Sequence, residues 1–191
     1  MMVLLTVLLG GLYPLAVWAF SRIDSSMAEG SRVSAQGCVI GSSLLGIDPQ
    51  VKAGEPDPYL HARVAGSGDT PMAPGDPSAS GASNLGPANP DLAATITARR
   101  KAIATREGVA ESAVPADAVT GSASGLDPAI SPAYAALQVP RIARVTGRTQ
   151  DQVRSIIAAH TDSRQWGFLG QPRVNVLEVN KALGAGCNRA P

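Results

Sequence analysis

Several residue patterns with well-known chemistry are missing from this chain, and each gap narrows what the protein does. Aromatic residues make up only 4% of the 191 residues, so a core has to be built from Ala, Val, Ile and Leu. There is no surplus of basic charge. Sixteen Lys and Arg stand against fifteen Asp and Glu, a formal net charge of +1, with no basic run among them. That argues against nucleic acid as a partner, because phosphate binding needs a clustered cationic face. The two cysteines are Cys38 and Cys187. Neither has a second Cys or His at metal-ligand spacing, so no zinc site is expected.

Catalytic signatures are equally scarce. No Gly-x4-Gly-Lys-Ser/Thr phosphate loop occurs, and the many serines include no Gly-x-Ser-x-Gly elbow. Asp127 has no carboxylate beside it in sequence. His61 sits next to Arg63 and reads as a surface residue, while His160 follows an apolar helix face and reads as a helix end. Neither reads as a general base. Internal repeats and coiled-coil heptads are also lacking. The glycine-rich run Ser80–Gly86 offers backbone N–H groups that an anion would accept, but no Lys accompanies it. A rigid recognition loop shaped by Gly and Pro is the better reading.

What the chain does have is concentrated at its start. Met1–Phe20 reads MMVLLTVLLGGLYPLAVWAF, with Thr6 as its one plainly polar side chain and no charge before Arg22. As a helix rising about 1.5 Å per residue this run spans roughly 30 Å, the thickness of a bilayer's hydrocarbon core. Only a helix satisfies its own backbone in lipid, so residues 1–21 are expected to be a transmembrane anchor. A cleaved signal peptide fits less well, since the apolar run is too long and no basic residue precedes it. Pro14 is expected to kink the helix. Gly10 and Gly11 permit close approach of a neighbouring helix. The first positive charges beyond the anchor, Arg22 and Arg32, taken alone would put the body of the protein in the cytoplasm.

Residues 22–37 are polar and mixed, a stalk, and residues 38–191 form one further domain. Cys38–Gly46 reads as a strand running into a turn. Residues 66–90 hold five Gly, five Pro and four Ser and show no regular period, so a long loop is expected. Asn89 and Pro90 cap and start a helix that ends at Gly108. Val114–Thr120 reads as a short strand and Gly121–Pro128 as a small-residue loop. Ser131-Pro132 starts a helix to Ala143, which Pro140 should kink or divide. Thr149 with Gln152 and Asn175 with Glu178 are capping boxes for two more helices, the second covering Val176–Leu183. The sum is an α+β domain with a small sheet and several helices.

Six segments stand in an order seen in one family. They are Leu12–Leu15 (LYPL), Gly41–Gly46 (GSSLLG), Gly81–Pro90 (GASNLGPANP), Ser122–Pro128 (SASGLDP), Gln138–Arg141 (QVPR) and Gly170–Glu178 (GQPRVNVLE). The chain resembles KdpC, the C subunit of the bacterial Kdp potassium-transporting ATPase. Ala82 stands where the family usually has a second glycine, and Tyr59–Val64 is looser than the family's aromatic and Arg-Pro pattern.

The resemblance implies a non-catalytic subunit of a high-affinity, ATP-driven potassium uptake complex. Its partners would be a channel-like potassium-binding subunit and a P-type ATPase subunit. The complex uses ATP, Mg2+ and K+, none bound by this chain alone. The subunit would assemble or stabilise the complex and act as a catalytic chaperone raising the ATPase subunit's affinity for ATP. One helix would cross the plasma membrane with the domain outside, against the count of Arg22 and Arg32. An assembly interface is expected at Gly10, Gly11, Pro14, Ser83, Asn84, Leu85, Gly86, Asn89 and Asp127. An oxidising compartment permits a Cys38–Cys187 disulfide, and two unpaired thiols are the other reading. Alternatives are an anchored extracytoplasmic serine hydrolase and a solitary anchored binding protein.

Overall fold

A computed structural model describes residues 1–52, 54–65 and 70–186. The chain divides into two compact units, Met1–Arg32 and Val33–Pro191.

The first unit is dominated by one helix. α1 (Met2–Val7), a π-helical stretch (Leu8–Leu12) and α2 (Tyr13–Ser21) run on as Met2–Ser21, 20 residues with a mean hydropathy of 2.0. It is long and apolar enough to cross a membrane. The irregularity expected at Pro14 takes the form of the π stretch just before it. Proline has no N–H for the carbonyl four residues back, and its ring crowds that carbonyl, so a widened turn relieves both. Gly10 and Gly11 lie in this stretch, and a Cβ on either would meet nothing within 4 Å in this chain. Past the helix, the Arg22 guanidinium lies 5.5 Å from the centre of the Trp18 ring. The unit closes with α3 (Ser25–Ala28), whose N-terminal N–H groups are capped by the Asp24 carboxylate.

The remainder is an α+β arrangement. β1 (Arg32–Ala35) and β2 (Cys38–Ser42) form a two-stranded sheet. Gln36 and Gly37 between them both have positive φ, 51° and 85°, the backbone twist a two-residue hairpin favours. After a long irregular segment comes α4 (Pro90–Glu107), capped by Asn89 and ended by Gly108 with φ 69°.

Two expectations are corrected downstream. Val114–Thr120 is not a strand. A 3-10 turn (Glu111–Ala113) leads through Pro115 into α5 (Ala116–Val119). Pro115 fixes a φ suited to a helix start, and Ala-Asp-Ala supplies no β-branched residue to favour a strand. α6 (Pro132–Thr146) runs undivided through Pro140. Pro140 is exposed, and so is Ala136, whose carbonyl loses its donor, so water can serve that group.

α7 (Gln150–Ala159) opens with the Thr149–Gln152 capping box, and α8 (Val176–Leu183) opens on Asn175. Three short antiparallel strands, β3 (Ala129–Ile130), β5 (Arg173–Asn175) and β4 (Thr161–Asp162), lie in that order, with Ile130 and Thr161 both in register with Val174. The core lies among α4, α6, α7, α8 and this sheet. Leu60, Ile103, Ile142, Val153, Val174 and Val179 are among its fully buried members.

Candidate functional site

Four of the six sequence segments meet at one place, and every contact between them is accepted by a backbone carbonyl. The Gly46 N–H donates to the Leu126 carbonyl at 2.9 Å, joining the GSSLLG and SASGLDP loops. The Gly81 N–H and the Ser80 hydroxyl both donate to the Ser124 carbonyl at 2.9 Å, which docks the GASNLGPANP loop on the same strip. The Asn175 amide donates to the Ser43 carbonyl at 3.0 Å, and the Val176 N–H to the Pro128 carbonyl at 3.0 Å. Glycine is required where these loops cross. A Cβ on Gly46 would overlap the Asp127 carbonyl, and one on Gly75 would lie 2.5 Å from the Gly46 oxygen and 2.8 Å from the Gly125 oxygen.

From this crossing the tip of the long loop projects. Ser83, Asn84, Leu85 and Gly86 are all exposed. Asn84 has φ 54°, a conformation Asn tolerates better than most residues because its short amide bonds locally. Asn89 is committed elsewhere. Its side-chain oxygen accepts from the Asp91 and Leu92 N–H groups at 2.7 and 3.4 Å, capping α4. Asp127 is also occupied: Oδ2 accepts from Arg63 Nη1 at 2.8 Å and Oδ1 from the Ala129 N–H at 3.1 Å. Gly10, Gly11 and Pro14 belong to the first unit. Cys38 opens β2, while Cys187 lies outside the described residues.

Sequence reasoning missed a buried charge centre. His61 is not on the surface; it is 5% exposed. Its Nδ1 faces Asp48 Oδ2 at 2.9 Å and its Nε2 faces Asp57 Oδ2 at 2.6 Å. Arg141 reaches the same Asp57 carboxylate at 3.3 Å and Glu107 at 3.0 Å, and Arg106 Nε donates to Glu107 at 2.6 Å. Arg106 also donates to the Tyr134 hydroxyl at 2.9 Å.

Burial alone would depress the His61 pKa, but the Asp48 charge and the hydrogen bonds to Asp48 and Asp57 reverse that and raise it. Burial pushes Asp57 up, and the His61 hydrogen bond and the charges of His61 and Arg141 outweigh it, bringing Asp57 down to about 2. With a carboxylate at each ring nitrogen the protonated form of His61 is favoured, and the cluster sets Asp48, Asp57 and Glu107 against His61, Arg106 and Arg141. A histidine whose two nitrogens both donate to carboxylates is a poor general base, since no basic nitrogen is left to take a proton.

This centre completes a backbone account. Tyr59–Ala65 is buried apart from Arg63 yet joins no named strand, so its N–H and C=O groups need other partners. Asn180 supplies them to Leu60, accepting from its N–H at 2.7 Å and donating to its carbonyl at 2.8 Å. Gln138 does the same for His61 at 2.8 and 3.2 Å. Asp48 accepts from the Ala62 N–H at 2.7 Å, Ser122 donates to the Val64 carbonyl at 2.9 Å, and the buried Arg99 donates to the Ala65 carbonyl at 3.0 Å. The signal was in α6: Gln138 and Arg141 fall on the same face as Tyr134, Ala135 and Ile142, where an amphipathic helix should be apolar.

Comparison with known proteins agrees with the motif order. The family model described as "K+-transporting ATPase, c chain" (KdpC) matches residues 1–185. Among curated relatives, the potassium-transporting ATPase KdpC subunit of Kineococcus radiotolerans is 45% identical over 175 residues, covering 92% of this chain and 85% of that one. The corresponding subunit of Beijerinckia indica is 44% identical over 185 residues, 96% of this chain and 89% of its own. That of Variovorax paradoxus is 45% identical over 183 residues, 95% and 91% respectively.

Proposed function

This chain belongs to the KdpC family, and we propose from that premise that it is a non-catalytic subunit of a potassium-transporting ATPase complex. The observation that carries this reading is the loop crossing: family segments are spent on holding one another, and what they hold out is the short exposed tip Ser83–Gly86. A short tip on a braced base suits assembly, because bracing the base limits the ordering entropy lost when it docks. The partners are a channel-like potassium-binding subunit and a P-type ATPase subunit. The helix Met2–Ser21 anchors the chain in the plasma membrane, and the domain that follows lies on the outer side.

The complex uses ATP, Mg2+ and K+, and the subunit raises the ATPase subunit's affinity for ATP without cradling the nucleotide itself. Beside the candidate loop, the N-terminus of α4 has its free donors taken by Asn89, opens with Pro90 and carries Asp91 in its first turn. That makes it a poor anion site. The influence on ATP is therefore a coupling between states of the pump, of about 1–3 kcal/mol if it follows ordinary allostery. The hydrolase alternative is disfavoured by His61, whose two nitrogens are both engaged.

The test is gentle membrane extraction with a tag on this chain, followed by identification of co-purifying proteins and titration of ATP into the complex and into the subunit alone. Co-purification of the two transport subunits, with a nucleotide effect seen only in the complex, is expected. A chain that purifies alone overturns the subunit reading. Micromolar ATP binding to the isolated chain overturns the indirect coupling.

A further inference from the structure

Aromatic residues beyond the anchor helix number four: Tyr59, Tyr134, Trp166 and Phe168. Tyr59 and Tyr134 are 6% and 1% exposed, while Trp166 and Phe168 are 83% and 68% exposed, with Leu169 beside them at 42%. Both exposed rings sit on one tight turn. Phe168 N–H donates to the Gln165 carbonyl at 3.3 Å, and Gln165 and Leu169 exchange N–H···O bonds at 2.9 Å in both directions. Trp166 and Gly167 have φ 52° and 81°.

Asn or Gly fills the first of such positions at least cost, whereas a bulky side chain there is strained. A strained tryptophan that the domain leaves in water is unexplained by folding stability. It points to an external contact.

Three features identify the contact. The first is composition: Trp and Phe with Leu on a protruding turn suit the headgroup layer of a bilayer, where indole keeps its N–H wet and its body dry. The second is charge. From Ser163 to Arg173 the segment carries Arg164 and Arg173 and no acidic residue. Arg164 is held to Gln171 at 2.9 Å, and Arg173 to Asp162 at 3.1 Å in an exposed pair. Asp162 offsets the charge of Arg173, and Arg164, held by a neutral amide, is the cation left beside the turn to face anionic lipid. The third is the tether. Only residues 22–31 separate α2 from β1, at most about 35 Å of extended chain. Bilayer is therefore always at high effective concentration, so a small apolar tip suffices.

We propose that the Trp166–Phe168–Leu169 turn is a membrane-surface contact that seats its rings in the headgroup layer of an anionic bilayer. The proposal rests on Met2–Ser21 spanning that bilayer. The contact gives the domain a second attachment to the membrane and limits its rotation about the tether.

The chain has two tryptophans, Trp18 and Trp166, so Trp18→Phe leaves Trp166 as the sole reporter. The full-length variant is reconstituted alone into vesicles of phosphatidylethanolamine and phosphatidylglycerol. Sedimentation with vesicles in high salt first verifies the anchor independently of the tip. Trp166 emission is expected to shift to shorter wavelength, to be quenched by lipids brominated high on the acyl chain, and to be shielded from aqueous iodide. Replacing phosphatidylglycerol by phosphatidylcholine, or introducing Arg164→Gln with Arg173→Gln, should reduce that quenching. Fully hydrated emission with no lipid quenching, in a chain that still sediments, overturns the proposal. So does protection of Trp166 that appears only when the other transport subunits are co-reconstituted, since the turn is then a protein–protein contact.

Discussion

His61 shows how one residue ties the fold to pH. Replacing it by Ala removes the imidazolium that Asp48 and Asp57 share and leaves the buried Asp48 and the half-buried Asp57 without it. Breaking a buried pair in this way costs about 3–5 kcal/mol. Chemical denaturation should register a loss of that size for His61→Ala. The pH dependence has a definite sign. The folded pKa of His61 lies above the ordinary 6.5, so its contribution is complete below pH 6.5 and is lost as pH rises through the raised value. Asp57 is lowered from 3.8 to about 2, so its contribution is present above 3.8 and is lost as pH falls toward 2. Melting curves across this range should show an alkaline decline that His61→Gln flattens. An alkaline limb unchanged in that variant would show that another group controls it.

The loop crossing and its tip make opposite demands of their residues. At the crossing, Gly46→Ala drives a methyl into the Asp127 carbonyl, a backbone group that cannot rotate away. Overpacking of this kind costs about 1–3 kcal/mol, to be seen as a lowered denaturation midpoint. At the tip, Asn84→Gly keeps the left-handed backbone and removes only the side chain, and Leu85→Ser removes an apolar group that is 39% exposed. Stability should change by no more than about 0.5 kcal/mol, as at other surface positions. The yield of assembled complex in co-purification should nonetheless fall. Normal assembly with both substitutions would remove the tip from the interface.

For the whole molecule, two expectations concern compartment and covalent closure. The proposed topology, with the domain outside the cytoplasm, predicts that a single cysteine introduced at the exposed Ala88 of a Cys38→Ser, Cys187→Ser chain reacts with an impermeant maleimide on intact cells. Labelling only after lysis would reverse the topology. In the native chain a Cys38–Cys187 disulfide would close a loop of about 150 residues, stabilising by up to roughly 5 kcal/mol in the chain-entropy account. Intact mass after alkylation with and without reductant reads it directly. Two alkylated thiols without reduction would end the proposal.

Much of the architecture was written in local chemistry. The apolar run of Met2–Ser21, the caps at Asn89, Thr149 and Asn175, and the stops at Gly108, Gly147 and Gly184 each follow from neighbours a few residues apart. Those signals survive folding because the backbone groups they satisfy lie within a turn of the residue that satisfies them. Motif order likewise marks the family, because it is carried by residues that stand together in sequence.

The convergence of the loops and the burial of His61 were not legible in this way. Asp48, Asp57, Glu107 and Arg141 are scattered over more than ninety residues, and each alone looks like a solvated charge. The buried course of Tyr59–Val64 was hidden for the same reason, since its hydrogen-bond partners come from Asn180 and Gln138, far along the chain. Only the tertiary structure decides such pairings, because an ion in a low-dielectric interior is stabilised by whichever charges packing brings within a few ångströms, whatever their separation in sequence.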